Sequence, residues 1–94
     1  MHVRIVRFTD ATEERMAGLR QRLEEASGPP EGVTSSGIRF YHDADQETMV
    51  VVQLFDSRED LESSEAALEA MDPDETPGTR VSVDRCEVIA ELDA

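Results

Sequence analysis

The sequence predicts a single α+β domain in the order β-α-β-β-α-β, with helices on one face of an antiparallel sheet. Three observations predict it. Alternating stretches rich in β-branched residues lie near both ends and in the middle of the chain; two helix-patterned segments open on capping residues; and a short polar connection between the second and third strands permits a hairpin but no crossover. With 94 residues, two independent cores would each fall near the ~40 residues below which folding usually needs outside help, so one domain spanning 1-94 is expected.

The first strand runs from His2 to Phe8, with Val3 and Ile5 on one side and Val6 and Phe8 on the other. Thr9 and Asp10 then supply N-cap chemistry, Glu13 stands at capping-box distance from Asp10, and Met16, Leu19, Leu23 and Ala26 follow at helical spacing. Gly28-Pro29-Pro30 stops this helix. Thr34 to His42 reads as the second strand, Asp43 to Glu47 as a polar turn, and Thr48 to Phe55 as the third strand.

Pairing the hairpin symmetrically about Asp45 sets Ile38, Phe40, Val50, Val52 and Leu54 on a core face for the helices. Gly37, Arg39, Tyr41, Met49, Val51 and Gln53 then form a mixed second face. Asp56 with Glu59, or Ser57 with Asp60, caps the second helix, whose narrow apolar stripe is Leu61, Ala67, Leu68 and Met71. Asp72-Pro73 ends it, and DPDETPGT is an exposed loop. From Arg80 the chain is extended again. Its apolar positions switch from odd (Val81, Val83) to even (Cys86, Val88, Ala90, Leu92), as a bulge near Asp84 and Arg85, or a strand leaving one sheet for another, would produce. The elements assemble as a ferredoxin-like split βαβ pattern.

Composition narrows the function classes. Nine basic residues, all arginine, stand against 22 acidic ones, for a net charge of −13. Such a surface repels phosphate and argues against nucleic acid. Arginine-favouring codon usage and a salt-rich cytoplasm both account for the acid excess. The single cysteine, Cys86, fits a reducing compartment and reads as a small buried hydrophobe. MHVRIVRF is too short and too charged for a signal peptide, and no apolar run reaches the ~18 residues of a membrane span. A soluble cytoplasmic protein that contacts no membrane is expected.

Helices on one side leave the mixed sheet face bare. At roughly 25 cal/mol per Å² of apolar area, covering Met49, Val51, Tyr41 and Phe55 stabilises an association by several kcal/mol before its entropic cost. A homodimer through the open sheet face is the simplest cover.

The hairpin GIRFYHDADQETMVVVQLF and the junction FDSREDLESSEAALEAM resemble the antibiotic biosynthesis monooxygenase-like family of dimeric α+β barrels. The resemblance spans nearly the whole chain. In that family a strand ends in an aromatic, often tryptophan, followed by an acidic or polar pair, a helix start and a leucine; Phe55, Asp56, Ser57 and Leu61 occupy those places here. The resemblance implies a shape shared by cofactor-independent oxygenases of aromatic polyketides or quinols, by haem-degrading enzymes and by members of no known activity. Departures are plain: Phe55 replaces the frequent tryptophan, and Ser63 and Ser64 stand where many members carry histidine. Haem-degrading members resemble one another in a first-strand asparagine; Val6 or Arg7 occupies that place, and the chain has no asparagine. Haem degradation is therefore disfavoured.

His42 is the candidate acid/base, at a strand end beside Tyr41 and near Arg39, against a plainer reading as an edge residue next to a polar turn. Arg39, Tyr41 and Gln53, with Arg7 or Arg4 nearby, suit an enolate or carboxylate, or pair with carboxylates of a partner subunit. Candidate catalytic residues are thus His42, Tyr41 and Arg39, and candidate ligand contacts are Gln53, Phe55 and Arg7. The set His42, Asp43, Asp45 and Glu47 matches no full calcium loop, and neither a metal nor a cofactor is expected. The serines lack a partnered base, and His2 reads as a surface residue. Two functions remain. One is a dimeric module binding a small aromatic or quinone-like molecule, or a partner, without catalysis. The alternative is a cofactor-independent monooxygenase of an aromatic or quinol substrate, with His42 as base.

Overall fold

A computed structural model describes residues 1–26, 28, 32–69 and 78–93. The elements are β1 (His2–Thr9), α1 (Glu13–Glu25), β2 (Gly37–Asp43), β3 (Thr48–Phe55), α2 (Arg58–Glu69) and β4 (Thr79–Glu87). The strands form one antiparallel sheet in the order β2-β3-β1-β4. The fold is α+β and ferredoxin-like, as the element order predicts. Met71 and the DPDETPGT loop as far as Pro77 lie outside the described residues, as do Pro29 and Pro30.

The β2–β3 turn decides which side chains meet. The Asp43 carboxylate accepts from the Asp45 and Gln46 backbone N–H groups at 3.1 and 3.2 Å, and from the Gln46 side-chain amide at 2.8 Å. That amide contact is the main reason the Asp43 carboxyl is held below its ordinary range. Glu47 closes the turn in the left-handed region (φ 51°). Asp43 therefore pairs with Thr48, His42 with Met49 and Tyr41 with Val50. Pairing about Asp45 is one residue off, and every β3 side chain changes face relative to that expectation.

Met49, Val51, Gln53 and Phe55 are buried beneath the helices, whereas Val50, Val52 and Leu54 alternate with them and are only half-buried. The main core joins Val6, Phe8, Ala11, Met16, Met49 and Val51, with Leu19, Ile38 and Val83 packed against it. Phe55 and Leu61 are buried as well. Leu23, placed on the apolar stripe of α1 by its spacing, is 41% exposed.

Capping differs between the helices. Thr12, not Thr9 or Asp10, caps α1, its hydroxyl accepting from Arg15 N–H. Asp10 instead turns left-handed (φ 57°). Its carboxylate accepts from the Thr79 hydroxyl at 2.9 Å, and its carbonyl from Arg15 at 3.1 Å. At α2 the second candidate caps: Ser57 Oγ accepts from Asp60 N–H at 3.1 Å. The fully buried Ser64 ties α2 to the segment before β2 by accepting from Thr34 N–H at 2.7 Å.

In β4 the bulge falls at Val81 rather than at Asp84 and Arg85, since Arg7 pairs with Ser82 and Phe8 with Arg80. No change of phase is needed. Val83 packs against the helix-side core and Cys86 pairs with Val3 on the other side, each apolar for its own face. Gly78, just before β4, allows a close approach to β1: a Cβ there would stand 2.3 Å from the Thr9 carbonyl oxygen.

Ser57→Ala is expected to cost about 1 kcal/mol in chemical denaturation, the usual worth of an N-cap, and Asp56→Ala only a few tenths. Equal costs would show that Asp56 shares the capping.

Candidate functional site

On the helix-covered side of the sheet one row sets two polar side chains in the buried centre. Cross-strand pairing sets Ile38, Gln53, Arg4 and Arg85 side by side, next to the row Phe40, Val51, Val6 and Val83. Arg4 and Gln53 are 3% and 7% exposed. Arg4 Nη1 donates to Gln53 Oε1 at 3.0 Å, and Arg4 Nη2 to Glu69 Oε1, on the last turn of α2, at 2.8 Å. The same Glu69 oxygen accepts from Arg80 Nη1 at 2.9 Å. Arg4 Nε is enclosed and has no partner among the described residues.

A second contact runs alongside, where Arg85 grips Glu65 by both carboxylate oxygens. On the outer surface of α2, Arg58 pairs with Glu62 four residues on. Glu62, Glu65, Ala66, Glu69 and Arg85 line a shallow crevice between α2 and β4, with Arg4 behind Glu69.

The charges set the local acidity. Hydrogen bonding from Arg85 holds the Glu65 carboxyl below its ordinary value of 4.5, outweighing partial burial. Hydrogen bonding from Arg80 does the same for Glu69, with Arg4 adding to it. The pairing with Glu65 in turn raises Arg85.

The candidate residues from sequence divide between the two sides. His42 is half-buried on the helix-covered side, where its Nε2 lies 2.8 Å from the Ala11 carbonyl. A carbonyl only accepts, so Nε2 is the donor in this contact. Ala11 N–H in turn donates to Glu47 O at 2.8 Å, so His42 fastens the hairpin turn to the loop before α1.

Arg39, Tyr41 and Arg7 are exposed on the opposite, open face. Tyr41 and Arg7 flank Val50 in one row, two strand spacings or about 10 Å apart. Gln53 does not join them, because the register turns it to the helix-covered side beside Arg4. Phe55 is fully buried, so neither it nor Gln53 presents a surface to a ligand on the open face. For the same reason Met49, Val51 and Phe55 cannot supply apolar area to a subunit interface there. His2, expected at the surface, is half-buried, and its Nδ1 has no partner among the described residues.

Arg4 is the residue sequence reading undervalued, placing it only as a possible neighbour of Arg39. Its signal was parity: His2, Arg4, Val6 and Phe8 share one side of β1, and the last two are core. Compared with family models, curated proteins and solved structures, the chain matches none.

Glu65 has a depressed carboxyl pKa, so its pairing contributes stability that is complete above the ordinary value and is lost as pH falls through the lowered one. Lowering the pH from about 5 toward about 3 should therefore destabilise the wild type more than Glu65→Gln, as read by thermal unfolding. Parallel declines would remove Glu65 from the acid response.

Proposed function

We propose that this chain acts as a dimeric module of the antibiotic biosynthesis monooxygenase-like, α+β barrel kind, binding a small aromatic or quinone-like molecule without transforming it. The observation that carries the reading is the open sheet face. Val3, Ile5, Val50, Val52 and Leu54 make a continuous half-buried apolar stripe along the two central strands, β1 and β3. The outer strands carry Arg39 and Tyr41 on one side and Ser82 and Asp84 on the other.

A second copy of the chain suits this face. Arg39 and Asp84 lie at opposite edges of one row, Arg39-Val52-Ile5-Asp84. Rotating a copy by a two-fold axis parallel to the strands lays β2 of each over β4 of the other, and Arg39 of each over Asp84 of the other. The apolar stripes then meet between two sets of opposite charges. At about 25 cal/mol per Å² the stripe supplies several kcal/mol toward association.

The segment after β4 favours association too. Val88 N–H donates to Met1 O at 3.0 Å, one step beyond the strand, and Ile89 and Leu92 beyond it are 93% and 97% exposed. An aromatic ligand has a partner in Phe40, which is 39% exposed although it belongs to the helix-covered side. The oxygenase alternative needs a base and an anion-stabilising group in one place, and His42 stands on the other side of the sheet from Arg39 and Tyr41.

Native mass spectrometry at micromolar concentration is expected to give a dimer for the wild type and a folded monomer for Val52→Asp, with circular dichroism confirming the fold. A wild-type monomer, or a Val52→Asp dimer as tight as the wild type, contradicts the assignment of this face.

A further inference from the structure

Three guanidiniums and two carboxylates meet where α2 faces the sheet: Arg85 with Glu65, and both Arg4 and Arg80 with Glu69. In a chain of net charge −13, this place holds one more positive group than negative. The surplus falls at Glu69, where a single oxygen serves two arginines.

Arg4 is where that shortage matters. The Nε and Nη2 hydrogens of a guanidinium lie along one edge, spaced to receive both oxygens of a carboxylate. Glu69 fills the Nη2 position and leaves Nε empty, although the Arg4 side chain is only 4% exposed. A buried charged donor without a partner is costly, and a purely structural ion pair would be selected to close that edge. Glu69 itself is 40% exposed and can turn to solvent while keeping Arg80 as its partner. Gln53 holds the far side of the guanidinium in place.

We propose that Arg4, oriented by Gln53, is a binding site for a small carboxylate, and that Glu69 is its built-in occupant. An entering carboxylate displaces Glu69 from Arg4 and accepts from both Nε and Nη2. No bond is made or broken; one carboxylate exchanges for another. The acids lining the approach do not oppose this strongly, because Glu62 and Glu65 are each already paired with an arginine. Every residue named lies on the helix-covered side of the sheet, so the inference stands or falls independently of association through the open face.

Sodium benzoate is the probe, titrated into 15N-labelled protein against sodium chloride at matched ionic strength while the Arg4 Nε–H resonance is followed. Glu69→Ala empties the site and is expected to bind benzoate at least about tenfold more tightly than the wild type, the Arg4 resonance moving with benzoate and not with chloride. Glu62→Ala removes the same charge from the same helix without touching Arg4, and should gain nothing. Adding Arg4→Lys to Glu69→Ala, read by the Gln53 backbone and side-chain amide resonances followed in parallel in every variant, should abolish the response to benzoate, since an ammonium lacks the fork. An unmoved Arg4 resonance in Glu69→Ala overturns the proposal. So does an equal gain in Glu62→Ala, or a response that survives Arg4→Lys.

Discussion

The register of one hairpin governs the molecule. Asp43 folds its carboxylate over the next turn of backbone, Glu47 closes the turn left-handed, and four residues separate the paired Asp43 and Thr48. Because side chains alternate along a strand, a slip of one residue would exchange every β3 neighbour between the two faces. The observed register buries Met49, Val51 and Phe55 under the helices and leaves Val50, Val52 and Leu54 on the open side. β3 is apolar on both faces for two separate reasons: the chain's own helices cover one, and the other is the stripe proposed to meet a second copy.

The same register creates the polar row. Gln53 interrupts the buried series of β3 where Arg4 interrupts that of β1, and pairing makes them neighbours. A lone buried guanidinium would be prohibitive in this position. It is tolerated because Gln53 takes one hydrogen bond and Glu69 another, anchoring the end of α2 to the sheet. The two sides of the sheet are thereby given different chemistry, with arginine–carboxylate pairs beneath α2 and a half-buried apolar stripe on the open face.

Much of this was legible in the sequence. The element order, the bounds of β3, Ser57 as one of two candidate caps and the placing of Val6 and Phe8 opposite Val3 and Ile5 all follow from alternation and capping chemistry. The register was not legible, because it depends on Glu47 adopting a positive φ that sequence assigns more readily to glycine or asparagine. The start of α1 slipped by a similar cause: Asp10 took a left-handed turn and a hydrogen bond from Thr79, 69 residues away, leaving Thr12 to cap. Arg4 was passed over because strand parity says which residues share a side, and only tertiary packing says which side the helices cover. The apparent change of phase in β4 arose from treating apolar residues on both faces as one stripe.

Cross-strand Hα–Hα contacts in the nuclear Overhauser spectrum of the wild type test the register most directly. The account predicts contacts drawn from the series Asp43–Thr48, Tyr41–Val50 and Arg39–Val52, or from His42–Met49, Phe40–Val51 and Ile38–Gln53. Contacts joining Tyr41 to Met49 and Arg39 to Val51 would contradict it, returning Gln53 to the open face and dissolving both the apolar stripe and the polar row.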